Sequence, residues 1–136
     1  MTFFKHEREL PEELKEKHNL AAVDLLAGDY ERAVERYQAI LEEVPKNGEV
    51  WLEYIHALLG SGKKEEARKA YRNAKGITKK EDSIFDIGIP QTLIEFGIMV
   101  EEEGETKLAR MIYDSVTIKK PDWFKPWFLL ANIYKK

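Results

Sequence analysis

The chain has 136 residues, no cysteine and a formal net charge of −3, which excludes disulfide staples, thiolate metal sites and any general attraction to phosphate backbones or anionic lipid. The length fits one domain able to bury a core. No apolar run approaches the roughly 18 residues of a membrane span, and the segment from Met1 to Leu14 lacks the apolar stretch and cleavage site of a signal peptide.

Residues 1–13 read as an N-terminal extension. Its Phe3 and Phe4 either dock on the first helix or form a hook for a partner. Pro11, Glu12 and Glu13 suit the first turn of a helix that runs to about Ala27. Leu14, Leu20, Ala21, Val23, Ala27 and one of Asp24 or Leu25 are its expected packing residues. Asp24 stands where an apolar or aromatic side chain would be usual.

Gly28-Asp29 opens a second helix, and Pro45 stops it. Tyr30, Ala33, Val34, Tyr37, Ile40, Leu41 and Val44 recur every three or four residues, the period of one helix face. After a turn at Lys46–Val50, a stripe of Val50, Trp51, Tyr54, Ile55, Leu58 and Leu59 forms the next helix, ended by Gly60-Ser61-Gly62. Ala67, Ala70, Tyr71, Ala74 and Ile77 make the stripe of a fourth helix. Ile84, Phe85, Ile87 and Ile89 mark an insertion, read as an anchored loop or a flap. Pro90 opens a fifth helix carrying Leu93, Ile94, Phe96, Gly97, Ile98 and Val100. Leu108, Ala109, Ile112, Tyr113 and Val116 lie on a sixth, closed by Pro121. The segment from Trp123 to Lys136 reads as a last single helix, in which Trp127, Leu130, Ala131 and Tyr134 pack back.

These elements repeat. Gly28, Ala33 and Tyr37 return 34 residues later as Gly62, Ala67 and Tyr71, and 42 residues after that as Gly104, Ala109 and Tyr113. Pro45 and Pro121 are 76 apart, as are Trp51 and Trp127. A period of 34 with a small residue, an aromatic and a closing proline resembles the tetratricopeptide repeat family. The expected fold is all-α, a right-handed α-α superhelix (a solenoid) of about seven helices. Repeats are placed at 14–47, 48–81 and 90–123, with a half repeat at 124–136 and the insertion at 82–89; together they make one domain, 14–136.

The resemblance implies a protein-interaction adaptor without chemistry of its own, whose first helices line a concave groove. By register the groove residues are His18 and Ala22, Leu52 and His56, Ile94 and Ile98, Phe128 and Asn132, with Glu53 and Glu95 beside them. Leu52, Ile94, Ile98 and Phe128 would form an apolar ladder for a peptide or helical segment, unless superhelical twist buries them between repeats. Some family members grip a C-terminal carboxylate with a clamp of Lys, Asn and Arg. Here the matching places hold His18, Ala22, Glu53, Gln91 and Glu95, and the two glutamates repel a carboxylate. They suit a Lys or Arg on a partner instead.

No catalytic residues, metal site or cofactor are expected. No H-E-x-x-H, G-x-S-x-G or P-loop motif occurs. By register His18 and His56 could approach each other across neighbouring groove helices, but two histidines need additional ligands to hold a metal. The run from Trp51 to Tyr54 and the later Ala67 to Tyr71, like Phe96 followed by Ala109 to Tyr113, also resembles half-a-tetratricopeptide repeats of RNA-processing scaffolds. Lys119, Lys120, Lys125, Lys135 and Lys136 around Trp123 and Trp127 are the one candidate for a weak RNA contact; nucleic acid is otherwise an unexpected partner. Phe124, Phe128 and Leu129 cannot all pack inward with the rest of the last helix. They predict a homo-oligomer interface, with a monomer that shelters them, or a chain continuing past Lys136, as the competing readings. The protein is expected to be cytoplasmic.

Overall fold

The computed structural model describes residues 10–78 and 89–135. Phe3 and Phe4, and the insertion residues Ile84, Phe85 and Ile87, lie outside the described residues. Those described form seven helices and no strand. They are α1 (Glu12–Ala27), α2 (Tyr30–Glu43), α3 (Gly48–Gly60), α4 (Lys64–Thr78), α5 (Pro90–Glu102), α6 (Thr106–Lys119) and α7 (Phe124–Lys135). The chain divides into two compact units, Met1–Asp86 with α1 to α4 and Ile87–Lys136 with α5 to α7. In the first, α1 packs on α2, α2 on α3, α3 on α4, and α1 also meets α3. In the second, α5 packs on α6 and α6 on α7.

The repeated residues have repeated jobs. Gly28, Gly62 and Gly104 all take left-handed backbone, with φ of +83°, +80° and +88°. Each turns the chain from one helix into the next, and the same bond closes each turn. The amide of Asp29 donates to the Asp24 carbonyl, that of Lys63 to Leu58, and that of Glu105 to Val100, each at 2.9 Å. This six-to-one bond satisfies carbonyls that a helix end leaves open. Ala33, Ala67 and Ala109 have no exposed surface, nor do Tyr37, Tyr71 and Tyr113. The 76-residue pairs are explained by one contact made twice. The Trp51 indole donates to the Pro45 carbonyl at 2.7 Å and the Trp127 indole to the Pro121 carbonyl at 2.9 Å.

Two expectations need correction. On α1 the inward stripe is Leu14, Ala21 and Leu25, while Leu20 and Val23 are 44% and 62% exposed and Ala27 is exposed too. Steps of seven and four residues keep the buried set on one line, and Leu20 and Val23 fall off it. Asp24 is no defect. Its carboxylate accepts a 2.7 Å bond from Arg36 Nε, an ion pair across the α1–α2 hairpin. On α7, Leu130 packs inward, but Trp127, Ala131 and Tyr134 are exposed.

Two glycines give opposite expectations. An added Cβ at Gly62 meets no atom within 4 Å, so Gly62→Ala bears only the left-handed backbone cost, about 1–2 kcal/mol. Gly76, inside α4, also has open space and no positive φ. Gly76→Ala should stabilise by about 0.5–1 kcal/mol. Urea unfolding of the two variants should move in opposite directions from the parent.

Candidate functional site

The α1–α3 face gathers polar side chains of the first unit. His18 projects from the middle of α1, one turn before Ala22, which is half-buried. Glu49 and Glu53 are four residues apart on α3, so they share a face. His18 Nε2 lies 2.9 Å from Glu53 Oε1, and both side chains are largely shielded, at 17% and 13% exposure. A carboxylate only accepts, so the imidazole nitrogen carries the hydrogen and donates. Tyr37 of α2, fully buried, donates its hydroxyl to the same Glu53 oxygen at 2.8 Å. The His18 and Tyr37 rings meet edge to face at 6.3 Å. One nitrogen of His18 and one oxygen each of Glu49 and Glu53 lie within 4.8 Å of one another.

The electrostatics follow from this packing. The Glu53 hydrogen bond raises the His18 pKa above its ordinary value, against the opposing effect of burial, and the charges of Glu53 and Glu49 add to the rise. Burial, the Glu53 charge and the shared hydrogen bond raise the Tyr37 phenol as well, so it stays protonated as a donor. In the second unit Tyr113 donates to Glu101 Oε1 at 2.8 Å, and burial followed by that bond raises its phenol too. Glu95 of α5 pairs loosely with Lys125 of α7 at 3.8 Å.

The remaining groove residues divide. Leu52 and Ile94 are each 1% exposed, so they are core residues and not rungs of an open apolar ladder. The cause is visible on their helices. On α3, Leu52, Ile55, His56, Ala57, Leu58 and Leu59 are buried, and on α5 Thr92, Leu93, Ile94, Phe96, Gly97, Met99 and Val100 are. A helix apolar around most of its circumference has little solvated face to offer. Ile98 and Asn132 are half-buried, and Phe128 is 51% exposed. His56 has no exposed surface. The pairing of His18 with His56 gives way to His18 with Glu53, and the approach of Glu49 was missed. The signal was the four-residue spacing of Glu49 and Glu53.

Exposed apolar surface concentrates on α7. Phe124 is 73% exposed, Trp127 50% and Tyr134 68%, while Leu129 is half-buried. The Phe124 and Phe128 rings stack at 5.8 Å. The repeat register shows what this face is. Phe128, Ala131 and Tyr134 stand where α3 has Leu52, Ile55 and Leu58, whose exposures are 1%, 0% and 0%. On α3 those positions belong to a helix with neighbours α1, α2 and α4, whereas α7 packs on α6. A cleft of about 720 Å³ in the second unit is lined by Ile89, Pro90, Gln91, Lys119, Lys120, Pro121, Asp122 and Trp123.

Burial lowers the His56 imidazole from 6.5 to about 3. The folded chain holds it neutral, while the unfolded chain protonates it below its ordinary value. Its contribution to stability is therefore complete above pH 6.5 and lost as pH falls towards about 3. His56→Ile, which installs the residue found at the equivalent Ile98, should flatten that loss. Urea unfolding between about pH 7 and about pH 4.5 should show the variant losing less stability than the parent, by at most about 1.4 kcal/mol per pH unit. Equal slopes would remove His56 from the acid response.

Among the described residues no helix is long and apolar enough to cross a membrane. The family model described as a tetratricopeptide repeat matches residues 24–82. This stretch carries the Ala33/Tyr37 and Ala67/Tyr71 pairs and two of the left-handed glycines. No curated protein matches the chain. Domains of this family mediate protein–protein interaction and are typically non-catalytic. Residues 24–82 thus match the tetratricopeptide repeat family, and the described residues are all helical, as a helical repeat superhelix requires.

Proposed function

We propose that this protein is a non-enzymatic, cytoplasmic adaptor and that α7 is its main contact surface for a helical segment of a partner protein. One observation carries the reading: Phe124, Trp127, Phe128 and Tyr134 are all at least half exposed on one short helix. Burying a large apolar side chain is worth roughly 1.5–3 kcal/mol, so a row of them left in water favours association. The register specifies the shape of what fits. In the first unit, α4 packs on α3 with Ala67, Ala70, Tyr71 and Ala74 buried. A partner helix with small residues at similar spacing would approach α7 in the same manner. A second copy of the chain is one such partner, giving the homo-oligomer through Phe124, Phe128 and Leu129. At the α1–α3 face, His18, Glu49 and Glu53 add an acidic contact suited to a polar or basic partner side chain. The apolar groove expected from Leu52 and Ile94 has no place in this proposal.

The alternative, a scaffold of an RNA-processing assembly with weak RNA contact, finds support in the cleft that holds Lys119, Lys120 and Trp123 together. Cations beside a half-buried ring suit a single-stranded backbone and a stacked base.

Phe128→Glu and Phe124→Ser alter exposed side chains, so helicity by circular dichroism should stay unchanged. Both should abolish capture of protein partners by the immobilised chain, and both should lower the mass seen by light scattering if the partner is a second copy. Capture that survives both variants would remove α7 as the contact surface. Salt-dependent binding of single-stranded RNA that is lost in a Lys119→Ala, Lys120→Ala double variant would favour the alternative.

A further inference from the structure

The donors at the α1–α3 face, which the proposed adaptor role uses only as a polar contact, have a chemistry that goes beyond it. Three side chains from two helices converge there: an imidazole and two carboxylates whose donor atoms all lie within 4.8 Å of one another. Ligands on a zinc ion sit about 2.0–2.2 Å from the metal. Two donors of one ion are therefore separated by less than about 4.4 Å, and the 4.8 Å span of this set is close to that limit. His18 and Glu53 need less adjustment, since they already lie 2.9 Å apart. The second shell is also in place. Tyr37 is fully buried and holds Glu53 Oε1 through a 2.8 Å bond, so it fixes the carboxylate in one orientation. Ligating carboxylates in metal sites are held by outer hydrogen bonds of this kind.

We propose that His18, Glu49 and Glu53 form a site for a divalent transition-metal ion, with Zn²⁺ the best match. One imidazole with two carboxylates suits a borderline metal better than Ca²⁺ or Mg²⁺, which take oxygen ligands alone. On binding, the His18 imidazolium loses its Nε2 proton to solvent, keeps its Nδ1 hydrogen, and as a neutral ring donates the Nε2 lone pair to the metal. The two carboxylates supply one oxygen each. Three protein ligands leave a coordination position for water or for a side chain of a bound partner. The site lies in the first unit and does not depend on α7 or on any partner.

The test is titration of the purified full chain with Zn²⁺ by calorimetry and with Co²⁺ by visible absorption. The parent should bind one equivalent saturably, with a Co²⁺ spectrum of low coordination number. His18→Ala and Glu49→Gln should each weaken binding at least about tenfold. Circular dichroism and urea unfolding of both variants beside the parent separate a lost metal ligand from a lost fold. His6→Ala should bind like the parent. Absence of saturable binding in the parent, unchanged affinity in His18→Ala and Glu49→Gln, or loss confined to His6→Ala would each overturn the site.

Discussion

Tyr37, Tyr71 and Tyr113 are among the largest fully buried side chains, and each follows by four residues an alanine with no exposed surface. The spacing puts both on the same helix face, the alanine one turn before the ring. The small side chain lets a neighbouring helix come close, and the ring fills the space left beside it. At Gly97 this fit reaches its limit, because an added Cβ would lie 2.6 Å from Tyr113 Cε1. Gly60 meets Tyr30 in the same way in the first unit. Helix pairing in both units thus depends on a large ring set against a residue too small to obstruct it.

The phenol oxygens carry that packing into the polar face. A buried tyrosine needs a partner for its hydroxyl. Tyr37 finds it in Glu53 and Tyr113 in Glu101. Glu53 is in turn where His18 bonds, so the residue that locks α2 against its neighbours also positions the acidic cluster of α1 and α3. Core and candidate site share one side chain. This coupling ties the polar cluster to a fully buried ring, and it supplies the outer hydrogen bond a metal ligand requires.

The helices were legible because their signals are local. Glycines at 28, 62 and 104 mark left-handed turns, and alanine–tyrosine pairs mark the buried stripe. The site was harder to read, for two physical reasons. Periodicity finds an apolar side chain on a face but does not say whether another helix covers that face. Leu52 and Phe128 occupy one register position, yet the first is 1% and the second 51% exposed. Contacts between polar residues distant in sequence leave no periodic trace either. Asp24 stands in a register position usual for an apolar side chain, and only its ion pair with Arg36 accounts for it. Groove register aligns His18 with His56, whereas the chemistry on the α1–α3 face comes from Glu49 and Glu53. His56 instead serves the core.

The dependence of helix pairing on a ring set against a small residue is tested most directly by a double-mutant cycle between Gly97 and Tyr113, read by urea unfolding. Gly97→Ala alone should destabilise the chain, because the fully buried Tyr113 ring has no room to retreat. Tyr113→Leu alone should also destabilise, through lost packing and a lost bond to Glu101. The account predicts strong non-additivity: once Tyr113→Leu is present, adding Gly97→Ala should cost little or even stabilise the helix. Strictly additive losses, or a Gly97→Ala variant as stable as the parent, would contradict it.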